Sequence, residues 1–138
     1  MASGVKVNPK CLEEFQALKL GHKTKYIIYG LSEDKTEIVV LKTSTSDKYE
    51  EFLKELPADD CLWAVYDFEF SKGDDGKRSK IVFIAWSPDD ARIKSKMLAA
   101  SSKEPLRRSL VGVAVEVQGT DLDEITYDAV LEKCSRGY

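Results

Sequence analysis

The residue types that perform chemistry are few and scattered in this sequence. Its one histidine, His22, follows a glycine in a polar stretch. Cys11, Cys61 and Cys134 are dispersed, and together with His22 they lack the short paired spacing of a zinc site. Neither a GxGxxG, a P-loop, a GxSxG nor an HExxH pattern occurs. Asp59 and Asp60 are neighbours, so they cannot share a helix face and read as a solvated turn. Asp74-Asp75-Gly76 opens like a calcium loop, but the remaining ligand positions are missing and a plain turn is the better reading. No catalytic centre, metal site or cofactor is expected, and the sequence is read as that of a non-enzyme.

Positive charge, by contrast, is concentrated. Between Lys77 and Arg108 stand nine Lys or Arg against three acids, Asp89, Asp90 and Glu104, a local charge of +6. The whole chain carries −3, so the remainder carries −9. Such a chain is repelled by anions over most of its surface yet can dock one face on an acidic partner. After Pro88, apolar Ala91, Ile93, Met97 and Leu98 share a helical stretch with Arg92, Lys94 and Lys96, and no acid follows until Glu104. A helix built only for solubility usually alternates its signs to gain i,i+4 pairs. Arg107 and Arg108 continue the charge, and Lys77, Arg78 and Lys80 begin a strand near a hairpin tip. No aromatic residue lies between Arg92 and Arg108, so the patch lacks the stacking platforms of a nucleic-acid site. An acidic protein surface or a lipid headgroup suits it better.

The elements that must position these residues follow from periodicity and punctuation. Residues 1–7 have little pattern and read as a mobile tail. Asn8-Pro9 has the form of a cap followed by proline at the first helical position, with Cys11, Leu12, Phe15 and Leu18 at helical spacing and Gly21 as the stop. Residues 26–31 and 37–41 read as a hairpin joined by Ser32-Glu33-Asp34-Lys35. Asp47 with Glu50 resembles a capping box for a short helix ended by Pro57. Residues 61–70 and 81–86 form a second hairpin. Ser87-Pro88-Asp89-Asp90 reads as a helix start, with the helix reaching about 101 or 102 and a short second one over 104–111. Residues 113–117 read as a fifth strand, and a last helix lies within 121–134, starting at either Asp121 or Thr126. This order predicts a single α/β (α+β) domain over 8–138, with a five-stranded mixed sheet, helices on both faces and a crossover long enough to allow parallel pairing of the fifth strand with the fourth.

Composition excludes several classes. The 138 residues are 43% hydrophobic and 33% charged, an ordinary balance for one globular domain. No run reaches the ~20 apolar residues of a membrane helix. The odd cysteine count without paired spacing fits reduced thiols in a cytosolic setting.

The stretch Trp86-Ser87-Pro88-Asp89-Asp90-Ala91-Arg92-Ile93-Lys94-Ser95-Lys96-Met97-Leu98-Ala99-Ala100-Ser101-Ser102-Lys103 resembles the signature of the actin-depolymerising factor/cofilin family. The resemblance extends through Gly30-Leu31, Lys35-Thr36-Glu37-Ile38-Val39, Leu56-Pro57, Asp60-Cys61, Tyr66-Asp67-Phe68-Glu69, Lys77-Arg78-Ser79-Lys80-Ile81-Val82-Phe83, Gln118-Gly119-Thr120-Asp121 and Ser135-Arg136-Gly137. It covers nearly the whole chain, and the compact form is closest to fungal and protist members.

The resemblance implies one domain of that family's fold, binding actin monomers and filaments with preference for the ADP state. It further implies a changed filament twist, severing and subunit loss. Ser3, Gly4 and Val5 of the N-terminal tail, with Arg92, Lys94, Lys96 and Met97 of the helix that enters a cleft of actin, match its contacts to monomer and filament. Arg78, Lys80, Glu132, Lys133 and Arg136 match its filament-specific face. Phosphoinositide membranes are expected to compete through Lys94, Lys96, Lys103, Arg107 and Arg108, and Ser3 is the expected phosphorylation site. Regulators of the cyclase-associated and actin-interacting kinds are implied partners, in the cytoplasm at cortical actin, with the nucleus open to it. Non-severing relatives of the coactosin or glia-maturation-factor kind, or a pure phosphoinositide module, are the alternatives.

Overall fold

The computed structural model describes residues 6–21, 24–46, 48–71 and 77–135. In chain order the elements are β1 (Lys6–Val7), α1 (Pro9–Gln16), β2 (Tyr26–Leu31), β3 (Glu37–Ser44), α2 (Tyr49–Lys54), β4 (Leu62–Ser71), β5 (Lys77–Trp86), α3 (Ile93–Ser109), β6 (Val115–Gly119) and α4 (Tyr127–Ser135). Among the described residues the strands form one sheet in the order β1-β3-β2-β4-β5-β6. Two hairpins, β2–β3 and β4–β5, are joined by antiparallel pairing of β2 with β4, while β1 lies parallel to β3 and β6 parallel to β5 after the helical crossover. The mixed sheet is as expected, with six strands instead of five. The extra strand is β1, in the stretch read as a tail. Lys6 N–H donates to the Thr36 carbonyl at 3.0 Å and Asn8 N–H to that of Ile38 at 2.9 Å. Two residues offer no period to read, so this pairing had no signature in the sequence.

Strand alternation divides the core into two layers. Ile27, Tyr29, Trp63, Val65 and Phe83 face α1 and α3, meeting Phe15, Ala99, Leu106 and Leu110. Tyr26, Tyr66, Phe68, Val82 and Ile84 face α2 and α4, meeting Tyr49, Phe52, Val130 and Cys134. The second layer is an aromatic cluster: Tyr49 packs edge-on to Tyr66 at 5.1 Å and to Phe68 at 6.0 Å between ring centroids. Its polar ends are satisfied, since Tyr49 OH donates to the Ile125 carbonyl at 2.6 Å and Trp86 Nε1 to that of Pro57 at 2.7 Å.

Most local signals hold. Asn8 accepts from Lys10 N–H at 2.8 Å to cap α1. The choice between Asp121 and Thr126 has two answers. Asp121 caps a short 3-10 turn (Leu122–Ile125) in a reciprocal box with Glu124, and Thr126 Oγ1 accepts from Ala129 N–H at 3.2 Å to start α4. Asp47 lies outside the described residues; Lys48 occupies the cap position of α2 without a side-chain bond.

The largest correction concerns α3. Residues 88–91 form a turn closed by Ala91 N–H to the Pro88 carbonyl at 3.0 Å, and the helix begins only at Ile93 behind an extended Arg92. It then runs unbroken to Ser109 through Pro105. Proline in a helix interior costs about 3 kcal/mol. Leu106 and Leu110 are both fully buried beyond it, and each buried leucine returns roughly 1.5–3 kcal/mol. Packing therefore outweighs the proline, and the expected two helices are one.

Candidate functional site

Helix α3 is anchored along one side and bare at its N-terminal end. Ala99, Ser102 and Leu106 are buried against the sheet. Lys19 Nζ donates to the Val111 carbonyl at 3.0 Å, securing the chain just past the last turn. At the other end Ile93 is 75% exposed and Met97 is 67% exposed. Four residues apart, they stand one above the other as an apolar ridge. Lys94 and Lys96 project on opposite flanks of that ridge, because each residue advances the helix by about 100°.

Neither lysine is turned inward. Lys94 is exposed and forms no ion pair with any described residue. The Lys96 ammonium donates to the backbone carbonyl of Asp89 at 2.9 Å, and no carboxylate among the described residues pairs with it. Arg92 is exposed just ahead of the helix. Ile93 had been grouped with the apolar side, yet it faces water. Large exposed apolar side chains ringed by cations are what a docking surface presents. Ala91, Leu98 and Ala99 supply the inward side, and that shift of register became readable only once the helix start moved to Ile93.

Strand β1 begins beside Thr36, at the same end of the sheet as the first turn of α3, and Val7 packs into the α1/α3 core layer. Ser3, Gly4 and Val5 lie outside the described residues.

The second expected surface lies across the sheet. Lys80 on β5 reaches the last turn of α4, donating from Nζ to the Cys134 carbonyl at 2.8 Å. A cation there satisfies a terminal carbonyl and complements the negative end of the helix dipole. Lys80 therefore braces α4, a role the sequence did not disclose. Glu132 and Lys133 are exposed on α4. Arg78 stands two positions before Lys80 on β5, with its side chain outside the described part of the structure, as is Arg136.

The third expected set is divided. Lys103 Nζ lies 2.8 Å from Glu116 Oε2, and Arg107 Nε lies 3.1 Å from Glu116 Oε1. One carboxylate on β6 thus clamps two cations of α3. The bond from Lys103, helped by Arg107, holds the Glu116 carboxyl below the usual carboxylate range. Arg108 remains exposed. Of the residues expected to meet phosphoinositides, Lys103 and Arg107 are occupied within the protein.

Nothing among the described residues resembles a catalytic centre. No group of three metal-ligating side chains converges. Burial pushes the Cys11 thiol up to about 11, which leaves it an unreactive core residue.

Comparison with known proteins agrees with this geometry. The family model described as "Cofilin/tropomyosin-type actin-binding protein" matches residues 4–135. The cofilin of Mycosarcoma maydis is 61% identical over 136 residues, covering 99% of this chain and 98% of that protein. That of Saccharomyces cerevisiae is 57% identical over 136 residues, with 98% and 95% covered. The crystal structure of Streptomyces griseoflavus cofilin superimposes with a TM-score of 0.92 at 52% identity, covering 98% of this chain and 100% of that one. A match spanning the sheet, α3 and α4 alike leaves one assignment, and the chain belongs to the cofilin/actin-depolymerising factor family.

Proposed function

We propose that this protein binds actin monomers and the sides of actin filaments, prefers ADP-bound subunits, and severs or depolymerises filaments by altering their twist. The observation that carries this reading is the Ile93–Met97 ridge of α3, exposed and flanked by Lys94 and Lys96, which have no carboxylate partner among the described residues. A rigid helix meets an acidic cleft without the cost of ordering a loop, so attraction to its lysines is retained in the binding energy. Lys80, Glu132 and Lys133 occupy the opposite side of the sheet. Two separated contact faces suit a protein that bridges neighbouring subunits along a filament. The work is linkage: tighter binding to a retwisted filament shifts the filament toward that twist by the difference in affinity. No bond-making step is required.

Phosphoinositides compete for the same α3 surface through Lys94, Lys96 and Arg108 in this reading, with Lys103 and Arg107 available only once released from Glu116. The protein acts at cortical actin in the cytoplasm, alongside recycling factors of the cyclase-associated and actin-interacting kinds.

The test is filament cosedimentation and microscopy with wild type and with Lys94→Ala/Lys96→Ala. Truncating two charged residues at the centre of an interface is expected to cost about 2–4 kcal/mol of actin affinity. Circular dichroism should stay native, since neither side chain is buried. Normal binding by the double variant would remove α3 from the contact, and filaments coated without fragmentation would exclude severing.

A further inference from the structure

A notch opens at the end of the sheet where α3 begins. Strands β2 and β4 are paired only as far as Tyr29 opposite Trp63. Beyond that point Gly30 and Leu31 continue with β3, while Leu62 is opposite Trp86 of β5, so the sheet parts. The β2–β3 register also slips between Ile28 and Tyr29, leaving Leu41 as the extra residue of a bulge. Leu41 leans over Gly30, where an added Cβ would fall 2.5 Å from its Cδ1. The bulge thus sets the Leu41 side chain over the open end of the sheet at Gly30.

The resulting cavity has a volume of about 520 Å³, within the range of roughly 300–1,000 Å³ typical of small-molecule sites. Its wall is apolar, with Ile28, Leu62, Trp63 and Leu98 contributing, and Leu41 is 55% exposed at the rim. Three lysines and two carboxylates, Glu55 and Asp60, share its rim, a net charge of +1. Lys35, Lys42 and Lys94 reach it from a turn, a strand and a helix. Glu55 is engaged by Lys42, and Asp60 accepts the Cys61 N–H at 2.8 Å. Lys35 and Lys94 have no ion-pair partner among the described residues.

We infer that the notch is a binding site for a small anionic amphiphile, a single apolar chain or ring system ending in a carboxylate or similar anion. The apolar body lies beneath Leu41 and against Trp63 and Leu98, and the anion meets Lys35 and Lys94. Because Lys94 also borders the exposed ridge of α3, occupancy draws that ammonium away from the surface that docks on actin.

Titration of the full chain with decanoate, followed by amide NMR, tests the site without any actin present. Saturable shifts are expected at Gly30, Leu31, Ser95 and Leu98. Decanol, with the same chain and no charge, should bind about tenfold more weakly, the value of two nearby ammoniums in a water-like dielectric. Ser95→Phe places a ring in the notch from a half-buried position and should abolish the saturable phase. Lys35→Asn, at a turn residue with φ of 59° that asparagine tolerates, should weaken decanoate and leave decanol unchanged. Linear shifts spread over the surface, or Ser95→Phe binding like wild type, would overturn the site. Equal binding of decanoate and decanol would overturn its preference for an anion. Both variants are checked first by thermal unfolding, and Lys35→Asn, in an exposed loop, still decides the matter should Ser95→Phe unfold.

Discussion

Glutamine at position 116 is the change whose consequences can be worked through furthest. Glu116 holds Lys103 at 2.8 Å and Arg107 at 3.1 Å, with the three side chains 33%, 21% and 34% exposed respectively. Fully exposed ion pairs contribute about 0.2–1 kcal/mol each. Two partly shielded pairs sharing one carboxylate should then stabilise the fold by about 1–2 kcal/mol in total. For a domain of this size that corresponds to a fall of roughly 4–8 °C in the unfolding midpoint of Glu116→Gln. The folded-state pKa of Glu116 is lowered from 4.5. Its stabilisation is therefore fully present above that value and fades as pH falls through the lower, folded one. Wild type and variant should differ at neutral pH and low salt. They should converge in acid, and also at ~500 mM salt, where screening acts within about 4 Å. The same substitution releases two cations of α3 and raises the net charge by one, which should tighten binding to phosphoinositide vesicles by about 1 kcal/mol, or roughly fivefold. Melting curves over pH and salt, with vesicle sedimentation, provide the readouts. Identical melting at neutral pH and low salt would refute the clamp. Weaker vesicle binding would show that Glu116 does not compete with phosphates for these side chains.

Lys80→Met should remove the donor to the Cys134 carbonyl, destabilising α4 by about 1–2 kcal/mol. Faster amide exchange confined to α4 and weaker filament binding, with monomer binding kept, is the expected pattern. Cys61, half-buried at the mouth of the notch, should react with a thiol reagent at about pH 8 well before Cys11 and Cys134, whose thiols burial pushes upward. Mass mapping of the labelled peptides gives the order, and early labelling of Cys11 would contradict its burial. Ser3→Glu places negative charge in the segment leading to β1, and reduced cosedimentation with actin is expected. Unchanged binding would remove Ser3 as a regulatory position.

What could be read from the chain and what could not divide along physical lines. The short β-prone runs and the turn residues between them are local signals; they located the two hairpins, and they set the last strand over 113–117, two residues ahead of the observed Val115–Gly119. Ser87-Pro88-Asp89-Asp90 misled because proline followed by aspartate serves a tight turn as well as a helix start. Only the packing of Leu106 and Leu110 decided that α3 would pass through Pro105. The charge concentration singled out α3, and Lys94 and Lys96 are not turned inward there. It could not show that Lys103 and Arg107 are held by Glu116, a partner brought close by the crossover from β5 to β6. Lys80 as a brace for α4 is equally non-local, since it joins residues 54 positions apart.

The continuity of α3 has one more consequence. A rod rising about 1.5 Å per residue sets Lys94 and Arg107 roughly 20 Å apart. With no hinge at Pro105, that interval acts as a fixed gauge. A partner grasping one end cannot swivel it independently of the other, so tilt or load applied at the ridge is delivered as torque to the strand edge at β6. Whatever holds both ends together must carry its own negative groups at a matching pitch.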